Sequence, residues 1–255
     1  MTQCVFITGA SSGIGAALAK AYAARGAKVG LVARRIDELR KLATALPSES
    51  IALAADVRDN ASMQSAAAQF IQQFGLPDIV IANAGVSHGT ATERSEDIAT
   101  FSEILDINVL GMVRTFQPFL SAMRQKKQGT LVGISSVAGF RGLPGSSGYS
   151  ASKAAAISYL ESLRIELRDS GVNVTTLCPG YIATPMTARN PYRMPFMLSA
   201  EQAAQKMISA IDAGRKFVVL PWQMALVGRI MRVLPNRLFD TLAAKSGRKP
   251  RKTAT

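Results

Sequence analysis

Residues 4–15 read CVFITGASSGIG, a short apolar strand that runs into a loop with glycine at positions 9, 13 and 15. These glycines permit a tight turn, close approach of the backbone to a diphosphate, and close packing of the next helix on the strand. A helix is predicted from Ile14 to Arg25, and its N-terminus offers free N–H groups and partial positive charge to phosphates. A glycine-rich loop between strand and helix indicates dinucleotide binding. The candidate contacts in the loop are Gly9, Ser11, Ser12, Gly13, Ile14 and Gly15.

Strand-like and helix-like segments alternate along the rest of the chain. Further strands are predicted at 27–34, 50–57, 77–85, 129–136, 172–180 and 216–221, and helices at 37–46, 60–74, 95–124, 149–170 and 200–213. Asn60 is a candidate N-cap for the third helix. Repeated β-α order with right-handed crossovers predicts an α/β fold. We expect a doubly wound, Rossmann-type, parallel seven-stranded sheet with helices on both faces.

Composition excludes several classes of protein. The chain has 255 residues, 48% of them hydrophobic, which suits one large α/β domain that we place at 1–244. Only two cysteines occur, with no CxxC or Cys/His cluster, so we expect no metal site, no disulfide framework and a reducing, cytoplasmic location. No secretion signal is visible, and no apolar run is long enough for a membrane span.

The end of the second predicted strand bears on the choice of cofactor. An acidic residue there would bind the ribose 2′-hydroxyl of NAD, but the chain has Ala33, Arg34 and Arg35. Guanidinium groups favour a 2′-phosphate, so NADP(H) is preferred over NAD(H). Alternatively, the two arginines are a solvated strand end. Further cofactor contacts are expected from Asp56 and Val57 after the third strand, and from Asn83, Ala84 and Gly85 after the fourth.

Residues 149–153 read YSASK, which places a phenol and an amine one helical turn apart. Positions i and i+4 share a helix face, so Tyr149 and Lys153 project together. A free tyrosine has a pKa near 10, too high for easy proton exchange at neutral pH. A nearby cation stabilises the phenolate, and we therefore expect Lys153 to lower the pKa of Tyr149.

Taken in order, the motifs resemble those of the short-chain dehydrogenase/reductase family over residues 4–220. They are TGASSGIG, Asp56, NAG at 83–85, Asn108 within NVLG, ISS at 134–136, YSASK and PGYIATPM at 179–186. The resemblance implies that Tyr149 is the general acid/base and Lys153 its partner, and that Ser136, rather than Ser135, orients the substrate. It implies that Asn108 kinks a long helix and holds a water in the proton path. It also places Pro179, Gly180, Ile182 and Thr184 near the nicotinamide.

The family implies an oxidoreductase that interconverts a carbonyl and an alcohol, and Arg34 and Arg35 make NADP(H) the expected cofactor. The family also implies a homo-oligomer built on helices 95–124 and 149–170. Residues 186–200 correspond to a mobile substrate lid. Methionines at 186, 194 and 197 suggest an apolar substrate, or pack in the core. The alternative is a catalytically silent dinucleotide-binding regulator, against which the intact Ser136, Tyr149 and Lys153 argue. His88, the only histidine, is expected to be an ordinary loop residue.

The last part of the chain is strongly basic: residues 186–255 hold 13 Lys and Arg against 3 Asp and Glu. Within an extension at 221–244, the apolar stretch 222–234 is interrupted by arginines. We expect it to pack in the interior or between subunits, while peripheral contact of 222–237 with a membrane remains open. Nucleic-acid binding is disfavoured, because stacking aromatics are missing. The tail 245–255 is expected to be disordered.

Overall fold

The structure is a computed structural model that describes residues 2–252. In this part of the chain the strands are β1 (Cys4–Thr8), β2 (Lys28–Ala33), β3 (Ser50–Ala54), β4 (Ile79–Ala82), β5 (Gly129–Ile134), β6 (Val172–Pro179), β7 (Ile182–Ala183), β8 (Leu198–Ser199) and β9 (Phe217–Leu220). The helices are α1 (Gly13–Ala24), α2 (Ile36–Ala45), α3 (Asn60–Phe74), α4 (Asp97–Leu105), α5 (Gly111–Lys126), α6 (Ser147–Glu166), α7 (Ala200–Asp212), α8 (Trp222–Val233) and α9 (Asn236–Ala243).

Seven strands form one parallel sheet in the order β3-β2-β1-β4-β5-β6-β9. The order reverses between β1 and β4, so the carboxyl ends of these two strands flank the crevice where such folds bind ligands. The doubly wound, Rossmann-type fold expected from the sequence is confirmed. The strands β7 and β8 form a separate parallel pair and enclose the segment 184–197.

Two apolar layers hold the sheet between its helices. On one face α1 and α7 bury Leu18, Tyr22 and Met207 against the sheet. On the other face α3, α5 and α6 bury residues that include Phe70 and Phe116. Strands that are covered on both sides read as continuous apolar runs, which is why CVFIT and KVGLVA predicted them well.

The predicted helix at 95–124 is two α-helices joined by a π-helical turn at Asp106–Leu110. A π turn adds a residue to the helical turn and redirects the side chains within it. Asn108 lies in that turn and is buried. At the start of α3 the N-cap is Asp59, whose carboxylate accepts hydrogen bonds from the N–H groups of Ala61 and Ser62. The prediction of Asn60 as the cap was therefore wrong by one residue.

The C-terminal part differs most from expectation. Residues 245–255 were expected to be disordered, but Arg251 and Lys252 form ion pairs with Glu96, Asp97 and Glu103 on and beside α4. Charge complementarity with these acids, which composition does not reveal, explains the difference; residues 253–255 lie outside the described part of the chain. Among residues 2–252, no helix is both long and apolar enough to cross a bilayer.

Candidate active site

The glycine-rich loop closes tightly on the end of β4. Gly9 and Gly13 have φ angles of +68° and +56°, a backbone region that glycine adopts most readily. A Cβ added to Gly15 would lie 2.3 Å from the carbonyl oxygen of Gly9, so only glycine lets α1 start this close to the strand. Asn83 fixes the loop, since its Nδ2 donates to the carbonyl oxygen of Thr8 at 2.9 Å. No acidic side chain occupies the first turn of α1, so its N–H groups face the cavity without a competing anion.

A cavity of about 320 Å³ runs from this loop to the end of β2. Arg34 and Arg35 both line it, and Arg35 Nη2 donates to Ser11 Oγ at 3.0 Å. Asp56 lines it as well, although its carboxylate is held by Arg58 at 2.6 Å. Hydrogen bonding from Arg58 lowers the pKa of Asp56, which keeps that carboxylate ionised. Arg58 was not predicted as a site residue, because its ion pair with Asp56, two residues earlier, produces no periodic pattern in the sequence.

At its other end the cavity is lined by Ser136, Tyr149 and Lys153. Ser136 follows β5 and is buried; its Oγ accepts from the N–H of Ala138 at 3.2 Å. Tyr149 and Lys153 are one turn apart on α6, and Lys153 Nζ lies 5.8 Å from the centroid of the Tyr149 ring. Lys153 Nζ also donates to the carbonyl oxygen of Ile134 at 2.9 Å, which aims the amine at the end of β5.

The electrostatics of this pair are set by burial. Burial lowers the pKa of Lys153 to about 8, because no carboxylate compensates its charge within the described residues. Burial also raises the pKa of Tyr149, and a hydrogen bond with Ser136 offsets part of that rise. The sequence led us to expect a lowered pKa for Tyr149. The protein's own groups give the opposite direction, because desolvation of the phenolate outweighs the hydrogen bond with Ser136.

Asn108 stands behind the cavity rather than in its wall. Its Oδ1 accepts from the N–H of Val86 at 2.8 Å, and its Nδ2 donates to the Val86 carbonyl oxygen at 3.0 Å. Nδ2 also donates to Ser152 Oγ at 2.9 Å, so the amide ties the segment after β4 to α6. Ser152 was not singled out from the sequence, although it lies between Tyr149 and Lys153 in the YSASK motif.

Most of the predicted site residues meet in this single cavity. Those that line it are Gly9, Ser11, Ser12, Gly13, Ile14, Arg34, Arg35, Asp56, Val57, Asn83, Ala84, Gly85, Ser136, Tyr149, Lys153, Pro179, Gly180, Ile182 and Thr184. Gly15 lies under the loop and Asn108 behind the wall. Among residues 2–252 no three His, Cys, Asp or Glu side chains are grouped so that they could hold a metal ion.

One charged neighbour of Tyr149 was missed altogether. Lys249 lies with its Nζ 4.4 Å from the centroid of the Tyr149 ring, closer than the amine of Lys153. It comes from the segment that composition had indicated as a disordered tail. Only the basic run at 248–252 could have drawn attention to it, and such runs are common in solvated tails.

Residues 3–194 match the profile of the family described as short chain dehydrogenase. A curated relative from Myxococcus xanthus, described as an uncharacterized oxidoreductase, is 40% identical over 248 residues, covering 95% of this chain and 97% of the relative. With the sheet order and the Ser136, Tyr149 and Lys153 arrangement in place, these matches settle the class. The chain belongs to the short-chain dehydrogenase/reductase family and is an oxidoreductase of that family.

Two solved structures show the likeness in three dimensions. An alcohol dehydrogenase from Thermococcus sibiricus, complexed with 5-hydroxy-NADP, aligns with a TM-score of 0.77 at 28% identity, covering 86% of this chain and 96% of that one. A short chain dehydrogenase/reductase from Burkholderia phymatum, in complex with NAD, aligns with a TM-score of 0.82 at 24% identity, covering 100% of this chain and 98% of that one. Members of this fold thus bind either nicotinamide dinucleotide.

Proposed function

We propose that this protein is an NADP(H)-dependent oxidoreductase that interconverts a ketone or aldehyde and the corresponding alcohol, with Tyr149 as general acid/base. The observation that carries the proposal is the shared cavity. The glycine-rich loop lies at one end and Ser136, Tyr149 and Lys153 lie at the other. A dinucleotide whose diphosphate lies on the loop would extend toward the phenol. When bound, NADPH supplies the hydride that reduces a carbonyl carbon.

The residues at the adenosine end fit NADP(H) on chemical grounds. Two exposed guanidinium groups, Arg34 and Arg35, stand where an acid would bind the 2′-hydroxyl of NAD. Arginine presents a planar pair of donors that matches phosphate geometry. The hydrogen bond from Arg35 to Ser11 holds one of these groups beside the glycine-rich loop.

The chain's own groups then handle the proton and the carbonyl oxygen. Ser136 would hold the oxygen while Tyr149 donates its hydroxyl proton to it, and the reverse reaction returns that proton. Lys153 would stabilise the phenolate that remains and hydrogen-bond the nicotinamide ribose. Asn108 positions this end of α6 through Ser152, and we propose that it also holds the water through which the proton is replaced. Residues Pro179, Gly180, Ile182 and Thr184 would contact the nicotinamide.

The substrate side contains apolar side chains. Met186 lines the cavity, and Phe196 and Met197 are exposed in the segment between β7 and β8. We propose that residues at about 186–200 form the substrate lid of a single catalytic domain spanning 1–244. Flexible methionines adapt to irregular ligands, which favours a substrate with an apolar portion.

The test is oxidation of NADPH with a panel of ketones and aldehydes, repeated with NADH. We expect turnover with NADPH and a preference for it over NADH. Arg34→Asp should reduce that preference by roughly tenfold or more, since one charge-assisted contact becomes a repulsion. Arg40→Asp, a charge reversal on α2 outside the cavity, is the matched control. A parent enzyme that binds NADPH but turns over no substrate would favour the silent regulator.

A second role, association with a membrane surface, is favoured by α8. One face of this helix packs inward through Met224 and Gly228. The other face exposes large apolar side chains at helical spacing: Trp222, Leu226, Ile230 and Val233. Arg229, exposed on the same helix, would lie among anionic headgroups, whereas Arg232 lies over the ring of Phe140. We propose that this face rests on an anionic bilayer through residues 222–237.

Flotation with phosphatidylserine-containing vesicles tests this role against vesicles of neutral lipid. We expect binding to the anionic vesicles, its loss in Ile230→Asp, and its retention in Ile71→Asp, which alters an exposed isoleucine on α3, outside α8 and the proposed subunit contact. If Ile230→Asp instead lowers the mass measured by light scattering, the face is a subunit contact and the membrane role is refuted.

We further propose a homo-oligomer. Ile98, Leu110 and Ile165 are exposed on the elements at 95–124 and 149–170, which supports these elements as the contact surface. The free, buried thiols of Cys4 and Cys178 support the proposal of a reducing, cytoplasmic location. Light scattering of the parent tests whether the protein is a homo-oligomer. Cell fractionation tests the cytoplasmic location.

A further inference from the structure

Residues 246–252 form what we call the C-terminal strap, an irregular segment that follows α9 and passes beside Tyr149. The strap lies directly on Gly89: the N–H of Gly89 donates to the carbonyl oxygen of Pro250 at 2.7 Å. A Cβ added to Gly89 would lie 2.3 Å from the carbonyl oxygen of Lys249. The strap also meets the lid, where a Cβ on Gly247 would lie 2.7 Å from the Tyr192 side chain. Contacts this close require glycine at both positions, which indicates that the strap packs specifically against the rest of the protein.

Ion pairs fix the far end of the strap. Arg251 donates to both carboxylate oxygens of Asp97, at 2.7 and 2.9 Å, and to Glu96 at 2.9 Å. Lys252 pairs with Glu103 at 2.6 Å. Hydrogen bonding from Arg251 lowers the pKa of Asp97, so the pair persists at neutral pH. These contacts occupy Glu96, Asp97 and Glu103, and they hold Lys249, the residue before Pro250, in place.

That residue is Lys249, whose side chain turns away from the acids and over the catalytic phenol. Its Nζ lies 4.4 Å from the centroid of the Tyr149 ring and donates a hydrogen bond to Ser87 Oγ. Among residues 2–252, no carboxylate forms an ion pair with it. Burial lowers the pKa of Lys249 to about 8, so the amine still carries charge at neutral pH. A half-buried ammonium without a counter-ion is costly and favours binding of an anion.

Further cationic side chains act on His88, which lies near Lys249. Burial lowers the pKa of His88 and Lys252 lowers it further; Glu103 opposes them, and Arg189 and Lys249 lower it by less. Arg189 belongs to the lid segment, so the positive charge comes from both the lid and the strap.

We propose that Lys249 is a substrate-binding residue and that the substrates are keto acids or the matching hydroxy acids, whose carboxylate lies on the Lys249 amine. The proposal rests on the proposed function, because it assumes that the substrate oxygen meets Tyr149. A group a few bonds beyond the carbonyl would then reach an amine that lies over the same ring. One lysine and one serine hydroxyl match a single carboxylate, whereas a phosphate dianion needs more donors. The apolar lid residues would contact the remaining carbon chain.

Matched pairs of acid and ester test the proposal. Levulinate and acetoacetate are each compared with their methyl esters as substrates with NADPH, in the parent, in Lys249→Met and in Lys249→Arg. We expect the parent to prefer each acid over its ester. Lys249→Met should lower the acid-to-ester ratio of kcat/KM by roughly tenfold to a hundredfold. Lys249→Arg, which keeps the charge, should retain most of the preference.

The matched control is Lys245→Met, which removes the same charge from an exposed position before the strap. It should leave the acid-to-ester ratio unchanged. If Lys249→Met lowers kcat/KM equally for acids and esters, the amine acts on Tyr149 and not on the substrate. If it raises both, the lysine blocks the site. Either result overturns the proposal.

Binding separates this proposal from the proposed function. Calorimetric titration of the protein with levulinate and with methyl levulinate, in the presence of NADP⁺, requires no turnover. Binding of the acid that is tighter than that of the ester, and that is lost in Lys249→Met, would support the carboxylate site even if no substrate were reduced. Equal affinity for acid and ester in the parent would refute it, whatever the enzyme turns over.

Discussion

Replacing Lys153 with methionine should make the protein more stable without added nucleotide, while removing the amine that we propose stabilises the Tyr149 phenolate. The Lys153 ammonium is buried and has no carboxylate partner among the described residues. Its pKa falls from the usual 10.5 to about 8 because burial disfavours the charged form. At about 1.4 kcal/mol for each pKa unit, charged Lys153 costs the folded state about 3 kcal/mol at neutral pH.

The gain in the variant should be smaller than that figure. Methionine fills the same space but leaves the carbonyl oxygen of Ile134 without its donor, which costs about 1 kcal/mol or more. We therefore expect a net stabilisation of about 1–2 kcal/mol, or roughly 2–8 °C in melting temperature for a chain of this size. Chemical denaturation followed by circular dichroism at pH 7 measures it.

The pH dependence gives the sharper test. A lysine whose folded-state pKa is lowered destabilises the fold fully below that pKa, and the cost disappears as pH rises from about 8 toward 10.5. The stability difference between Lys153→Met and the parent should therefore shrink over that interval. Lys20→Met, at an exposed position on α1, should show no such trend. A constant difference, or a variant less stable than the parent at every pH, would refute the reasoning.

Three further substitutions have defined outcomes. Gly15→Ala, whose Cβ would lie 2.3 Å from the Gly9 carbonyl oxygen, should weaken NADP⁺ binding by roughly tenfold or more in a fluorescence titration; unchanged affinity would contradict the role of the loop. Asn108→Ala removes three hydrogen bonds of a buried amide and should cost about 2–4 kcal/mol by denaturation, and a loss under 1 kcal/mol would be inconsistent with that network. Gly89→Ala should displace the strap and speed hydrogen exchange at 246–252, whereas Gly142→Ala, with open space around it, should not. Equal exchange rates in the two variants would show that the position of the strap does not depend on Gly89.

The sequence predicted the sheet well because buried parallel strands are short, apolar and bounded by clear loops. It also predicted which side chains would meet, since residues that follow β1, β4 and β5 lie at one edge of a parallel sheet. It could not predict the π turn around Asn108, because one extra residue in a helical turn leaves the apolar pattern almost unchanged.

The electrostatic state of the site depended on tertiary structure that the sequence does not reveal. The expected pKa of Tyr149 had the wrong direction, because the depth of burial and the aim of Lys153 at Ile134 follow from packing. The strap was missed because its order depends on acids about 150 residues earlier in the chain, such as Asp97. Composition alone cannot distinguish a basic tail with such partners from one without them.

Replacing the Tyr149 hydroxyl is the most direct test of the account. The measurement is kcat/KM for reduction of the best carbonyl substrate with NADPH, in Tyr149→Phe and in Tyr159→Phe, a matched loss of a hydroxyl on the same helix. If Tyr149 donates the proton, its phenylalanine variant should lose roughly a hundredfold or more and keep its NADP⁺ affinity, while Tyr159→Phe stays near the parent. A Tyr149→Phe enzyme with kcat/KM close to that of the parent would show that another group moves the proton.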